Sequence, residues 1–185
     1  MAPTITRGDA RWSNAAQDRI ELAEPDPSWQ EQFQAEAAVL RSTLRLSDDV
    51  RLEHFGSTAV PDLRAKPVID MLLIHPHPQV WPQLIAPLEA LGYLYWAENP
   101  CKDRLFFVKG MPPFGTRRTH HLHVRVPKDA ERELIFRDLL VANPELVRKY
   151  ERLKQRLAQQ FPTDRDAYTE GKTEFVTEVL GRGGT

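Results

Sequence analysis

Between Val68 and Ile74 the chain reads Val-Ile-Asp-Met-Leu-Leu-Ile, a single acid set inside an apolar run. Pro67 on one side and His75-Pro76-His77-Pro78 on the other bound the run, which predicts a strand of the core. An unpaired carboxylate is costly to bury, so Asp70 has to meet a metal, a cation or a substrate group. Just ahead of it lies His54-Phe55-Gly56-Ser57-Thr58-Ala59-Val60-Pro61, and Lys66 follows before the strand begins. A turn, a lysine and a buried acid thus fall within one short excursion between two predicted strands.

With 185 residues, 41% of them hydrophobic, the chain is long enough for one core. We expect a single domain over 21–182 after an irregular, loosely ordered lead-in over 1–20. A net charge of −1 argues against an extensive nucleic-acid surface, because counterion release needs a strongly basic face. It leaves room for a local basic pocket. Cys101 is the only cysteine, which excludes an intramolecular disulfide and a cysteine-based zinc cluster. Neither the first nine residues nor any later stretch is apolar for long enough to target or span a membrane. The expectation is a soluble, cytoplasmic protein of unspecified oligomeric state.

Asp26 and Pro27 suit a helix start, and Trp29, Phe33, Ala37, Leu40 and Leu44 recur at helical spacing along one stripe. Strands are predicted over Arg51–Phe55, Val68–Ile74, Leu105–Lys109 and His120–Val126. A helix is predicted from Trp81 to Leu91, ending at Gly92. Met111–Thr119 is a loop. In His120–Val126, Leu122, Val124 and Val126 share one face while His121, His123 and Arg125 share the other. Further helices are expected from Ala130, from Glu145 to Phe161 after the Asn143-Pro144 break, and from Asp166 to Leu180, ending at Gly181. This order implies an α+β fold, a mixed sheet flanked by helices with a helical C-terminal third.

A glycine-serine turn offers a permissive backbone, N–H groups and the hydroxyls of Ser57 and Thr58 to phosphate oxygens, although such a pair is more often only a turn. Neither a P-loop nor a dinucleotide fingerprint is present. Ser57 has no nucleophile elbow, and Cys101 has no cysteine-enzyme signature around it.

Gly56 to Pro61, with Ala65-Lys66-Pro67 and Ile69-Asp70, resembles the signature of the GrpB family, also called UPF0157. Pro25 to Trp29 is similar to that family's helix start, and His121-Leu122-His123-Val124 to its His-x-His strand. Phe136 to Leu140, Tyr150, Lys154, Tyr168 and Lys172 fit its C-terminal helices. The likeness runs from about Leu22 to Leu180 and departs from the pattern at Asp62, where a glycine usually follows the proline.

GrpB proteins resemble the nucleotidyltransferase superfamily, which carries Gly-Ser before an Asp-x-Asp strand. That implies a nucleotidyltransferase-like fold and nucleoside triphosphate chemistry with divalent ions, Mg²⁺ or Mn²⁺. Asp70 takes the first acid position, but Leu72 takes the second, so a two-metal site either finds its other ligands elsewhere or does not exist. His121 and His123, two apart on one strand face, are the candidates with Asp70, either as ligands of one ion or as donors to phosphate. Histidine with a carboxylate favours Zn²⁺, Mn²⁺ or Fe²⁺ over Mg²⁺. Asp70 or His123 could instead serve as a general base.

Lys66 suits a phosphate as a point charge. Arg104 is the member of the basic run Arg104, Lys109, Arg117, Arg118 that should face the cleft, because it alternates with Phe106. Tyr150 with Lys154, and Tyr168 with Lys172, border a nucleotide pocket or merely pack on the sheet. Arg137 with Asp138 is expected to be a structural ion pair, and His75 and His77 a surface turn. Of Glu53 and His54, only one should reach the cleft. The expected partner is a phosphorylated small molecule. The expected function is binding of that ligand with nucleotidyl transfer; the alternatives are binding without turnover, or condensation or group transfer on a small biosynthetic substrate.

Overall fold

The computed structural model describes residues 19–182. The expected lead-in therefore lies outside the described residues except for its last two; of these, Ile20 is buried against Leu157 and Tyr168. The first helix, α1 (Ser28–Leu44), starts where Asp26 Oδ1 accepts from the Ser28 N–H at 2.9 Å. It ends at Arg45, whose left-handed φ of 50° closes the last turn. Then come β1 (Arg51–Phe55), a short turn at Ser57–Ala59, β2 (Ile69–Ile74), α2 (Pro82–Ala90), β3 (Tyr93–Tyr95), β4 (Leu105–Lys109) and β5 (His120–Arg125). Four helices complete the chain: α3 (Pro127–Ala142), α4 (Pro144–Gln160), α5 (Arg165–Glu170) and α6 (Thr173–Arg182).

The five strands form one mixed sheet in the order β1-β2-β5-β4-β3. Only the β2–β5 pair is parallel. One face carries Ile69, Met71, Leu73, Phe107, Leu122 and Val124 and packs beneath α1 and α2, with Trp29, Leu40, Leu84 and Leu88. The other face carries Phe55, Asp70, Leu72, His121 and His123. Over it α3 buries Leu72 and Ile74 against Ala130 and Leu134. The α+β architecture is as expected, and among the described residues no helix is long and apolar enough to cross a membrane.

Two elements differ from expectation. The edge strand β3 follows Gly92 and has three residues, too short for a period-2 signal to register. The single helix expected over 166–180 is two, α5 and α6. A Cβ at Gly171 would sit 2.5 Å from Leu157 Cδ2, so the chain bends where it meets α4. The last helix also runs past Gly181 to Arg182. At Asn143 the expected break is also a helix start: its Oδ1 accepts from the N–H groups of Glu145 and Leu146, both at 3.1 Å. Asp62 keeps the left-handed backbone that a glycine would favour, with φ 59°, a conformation aspartate tolerates better than most residues.

Candidate functional site

Where the sheet emerges from beneath α3, a cleft of about 970 Å³ opens between the sheet and helices α3 to α6. Gly56, Ser57, Thr58, Lys66, Asp70, Arg104, His121, His123, Tyr150, Lys154 and Lys172 all line it. Residues from the turn, the two parallel strands and the C-terminal helices thus converge on one cavity.

Its floor is set by register. Asp70 and His121 are direct partners across the parallel β2–β5 pair, and His121 Nδ1 lies 2.9 Å from Asp70 Oδ1. Burial pushes the Asp70 carboxyl up. The His121 hydrogen bond, with the charges of His121, His123 and Lys66, outweighs this and leaves it below the usual carboxylate range. Burial lowers His121 against the opposing pull of Asp70. With an ionised Asp70 and a neutral imidazole, the proton of this bond sits on Nδ1 and Nε2 is a bare acceptor. His121 Nε2 is buried and has no hydrogen-bond partner among the described residues. His123 differs: burial lowers it to about 3, and its ring packs 4.6 Å from Phe106 and 5.2 Å from Phe55, centroid to centroid.

Gly56 permits this floor. Its φ is +71°, and a Cβ there would fall 2.5 Å from Asp70 Oδ2. The turn it starts is braced from behind: Thr58 Oγ1 donates to the Val68 carbonyl at 3.3 Å and lies 3.0 Å from His54 Nε2. His54 faces away from the cleft, stacked on Phe33 of α1. Glu53 lies on the cleft face but is occupied by Arg137, 3.1 Å away. Neither residue lines the cavity, so the expectation that one of the two would reach it fails.

Three lysines face the cleft: Lys66 from the segment before β2, Lys154 from α4 and Lys172 from the turn between α5 and α6. Lys66 and Lys172 lie 5.2 and 4.6 Å from the centroid of the Tyr168 ring, and Lys154 lies 5.2 Å from that of Tyr150. Lys154 also donates to the Arg64 carbonyl. Asp70 favours the charged forms of Lys66 and Lys172, and Glu151 that of Lys154, but in each case burial weighs more. Burial first, then Arg165 and Lys172, lowers Lys66 to about 7. Burial and Lys172 lower Lys154 to about 7, and burial lowers Lys172 to about 8. Tyr150 is hydrogen-bonded to the Ser57 side chain and stacks on Phe175, tying the turn to α4 and α6.

Arg104 faces the cleft with Phe106, as expected. Its neighbours in the basic run divide. Arg118 also lines the cleft and is buried, whereas Lys109 points to the opposite face of the sheet and pairs with Glu36. Arg137 does pair with Asp138, at 2.8 Å, but it also holds Glu53 and the His54 carbonyl while lining the cleft. Sequence reasoning missed Arg118, Trp96, Arg165 and Phe55 as lining residues; only the aromatic alternation around β4 hinted at an apolar wall. His75 and His77 lie in a turn outside the cleft.

The set Asp70, His121 and His123 does not close as a ligand cluster. Among the described residues no group of three or more His, Cys, Asp or Glu side chains is placed to hold a metal ion. Leu72, where a second acid is expected, is fully buried in the apolar contact between β2 and α3. The residues present therefore do not fit a two-ion site.

The sequence pattern of the family described as GrpB protein matches residues 19–182. A UPF0157 protein of Pseudomonas aeruginosa is 54% identical over 93% of this chain and 71% of its own length. The crystal structure of the conserved protein GrpB from Enterococcus faecalis superposes with a TM-score of 0.77 at 35% identity, covering 88% of this chain and 96% of that one. A dephospho-CoA kinase of Mycolicibacterium paratuberculosis is 28% identical over 88% of this chain, which spans 46% of that enzyme. The poly(U) polymerase Cid1 bound to MgATP reaches a TM-score of only 0.45 at 16% identity, covering 78% of this chain and 47% of that one, too little to carry an argument.

Proposed function

The chain belongs to the GrpB family, and we propose that its cleft binds a phosphorylated small molecule, a nucleoside triphosphate being the ligand its features match most fully. One observation carries this reading: Lys66, Lys154 and Lys172 converge on the cavity, each against a tyrosine face, while burial outweighs the pull of Asp70 and Glu151 on them. Clustered cations partly withdrawn from water destabilise the ligand-free protein, and an anion of several charges relieves this. The Ser57 hydroxyl and the two arginines that line the same cavity, Arg104 and Arg118, add donors for phosphate oxygens. Trp96 and Phe106, 6.0 Å apart at the sheet end, offer an aromatic wall for a planar base.

The lack of fit to a two-ion site bears on turnover. Leu72, in place of a second acid, favours a second reading in which the same cleft binds without reaction. Thermal unfolding across a panel of ATP, tripolyphosphate and dephospho-CoA, each with and without Mg²⁺, tests binding. A ligand at a hundred times its Kd stabilises by about 2.7 kcal/mol, roughly a 5–10 °C rise for a chain of this size. If no phosphorylated member of the panel shifts the transition, the reading fails. Binding without product would favour the second reading.

A further inference from the structure

We propose that Asp70 and His121 form an acid–base dyad on the floor of the cleft. In it, His121 Nε2 takes the proton of an acceptor hydroxyl as that oxygen attacks the phosphorylated ligand. The inference rests on the phosphorylated-ligand reading above.

The geometry supplies each part. Direct pairing of Asp70 with His121 across two parallel strands fixes the imidazole in plane and register, with Nδ1 at 2.9 Å from the carboxylate. Rigid strands hold such a pair better than loops do. The carboxylate keeps the proton on Nδ1, so the basic lone pair stays on Nε2. That atom is buried without a partner among the described residues, and a buried acceptor of this kind is completed by a ligand that donates a hydrogen. Phosphate oxygens cannot do so; a hydroxyl can. Lys66 lies on the same cavity, placed to hold the negative charge of the group being transferred.

The alternatives on this floor are closed. His123 is wedged between Phe106 and Phe55, and the Asp70 carboxylate oxygen bonded across the strands is held by His121 instead. Leu72 removes the second acid that an ion pair would need.

The step balances with a phosphoanhydride donor such as a nucleoside triphosphate. The acceptor O–H bond breaks and its proton goes to Nε2. A new O–P bond forms, and the P–O bond to the leaving phosphate or pyrophosphate breaks, the leaving group keeping the electron pair. Asp70 then stabilises the imidazolium without taking the proton itself.

The test uses the full chain, with ATP as donor and water and glycerol as acceptors. Phosphate and pyrophosphate release are followed in excess chelator, and the imidazole ¹⁵N spectrum is recorded alongside. We expect release without added metal and about a hundredfold loss in His121→Gln. His121 should be the Nδ1–H tautomer in the wild type, and Asp70→Asn should shift it toward Nε2–H. ATP-induced thermal shifts should persist in both variants. Failure of ATP to shift the wild type overturns the ligand reading. The dyad itself is overturned if ATP binds but no release occurs, if release requires metal, if His121→Gln retains it, or if stoichiometric Zn²⁺ moves the Nε2 signal.

Discussion

Lysines partly or wholly withdrawn from water sit on both faces of the sheet, and the two faces treat them differently. Beneath α1, Lys109 Nζ lies 2.7 and 2.8 Å from the two carboxylate oxygens of Glu36, and Tyr93 donates to the same carboxylate at 2.9 Å. This network is complete within the protein and stabilises the fold. Across the sheet, Lys66, Lys154 and Lys172 meet tyrosine rings and one carbonyl, and their ammonium groups are pushed toward neutrality. One face uses cations as structure, while the other stores charge that a ligand has to complete. The contrast locates function where the protein's own electrostatics are unfinished.

Lys109→Met gives the largest effect. It strands the buried Glu36 carboxylate with only the Tyr93 hydroxyl, and because Lys109 is itself partly exposed the cost is about 2–4 kcal/mol in urea unfolding. An unchanged midpoint would erase the distinction between the two faces. Lys172→Met moves the other way. Ligand-free stability should hold or rise, by up to about 1 kcal/mol, while affinity for tripolyphosphate falls roughly tenfold or more. A loss of stability as large as that of Lys109→Met would make Lys172 structural.

The pH dependence sharpens the same contrast. The cleft lysines have folded values of about 7 to 8, against about 10.4 in an unfolded chain. Between those values the unfolded state holds more protons, so their contribution to ligand-free stability rises as pH increases from about 7 toward 10. Polyphosphate binding prefers the charged lysines. It should therefore take up protons near pH 8 in calorimetry and weaken roughly tenfold from pH 7 to 9. Binding that strengthens with pH over this range would contradict the lysine wall. The smallest effect belongs to a control that touches neither face. Asp62→Gly relieves a left-handed φ of 59° and should raise stability by about 0.5 kcal/mol without altering binding.

Much of this was legible along the chain. The stripe from Trp29 to Leu44 does pack on the core, and the period-2 pattern of His120–Val126 correctly divided Leu122 and Val124 from His121 and His123. Asp70 stood out because an acid in an apolar strand demands a partner. The rest was not local. Lys154 and Lys172 look like ordinary charges on amphipathic helices, and their spacing does not distinguish the border of a pocket from packing on the sheet. They are buried only because α4 to α6 fold back over the sheet edge. Lys109 and Arg118 sit in one basic run and end on opposite faces.

By itself, then, the sequence determined the alternation of strands and helices, the Gly56 turn, the family pattern and the isolation of Asp70. These follow from local backbone preference and hydrophobic period. Tertiary structure alone decided that Asp70 answers to His121 rather than to a second acid, and that three lysines share one cavity. Both depend on parallel register and helix packing between segments some fifty to a hundred residues apart. Only the folded chain sets the burial that turns a surface charge into a demand for a ligand.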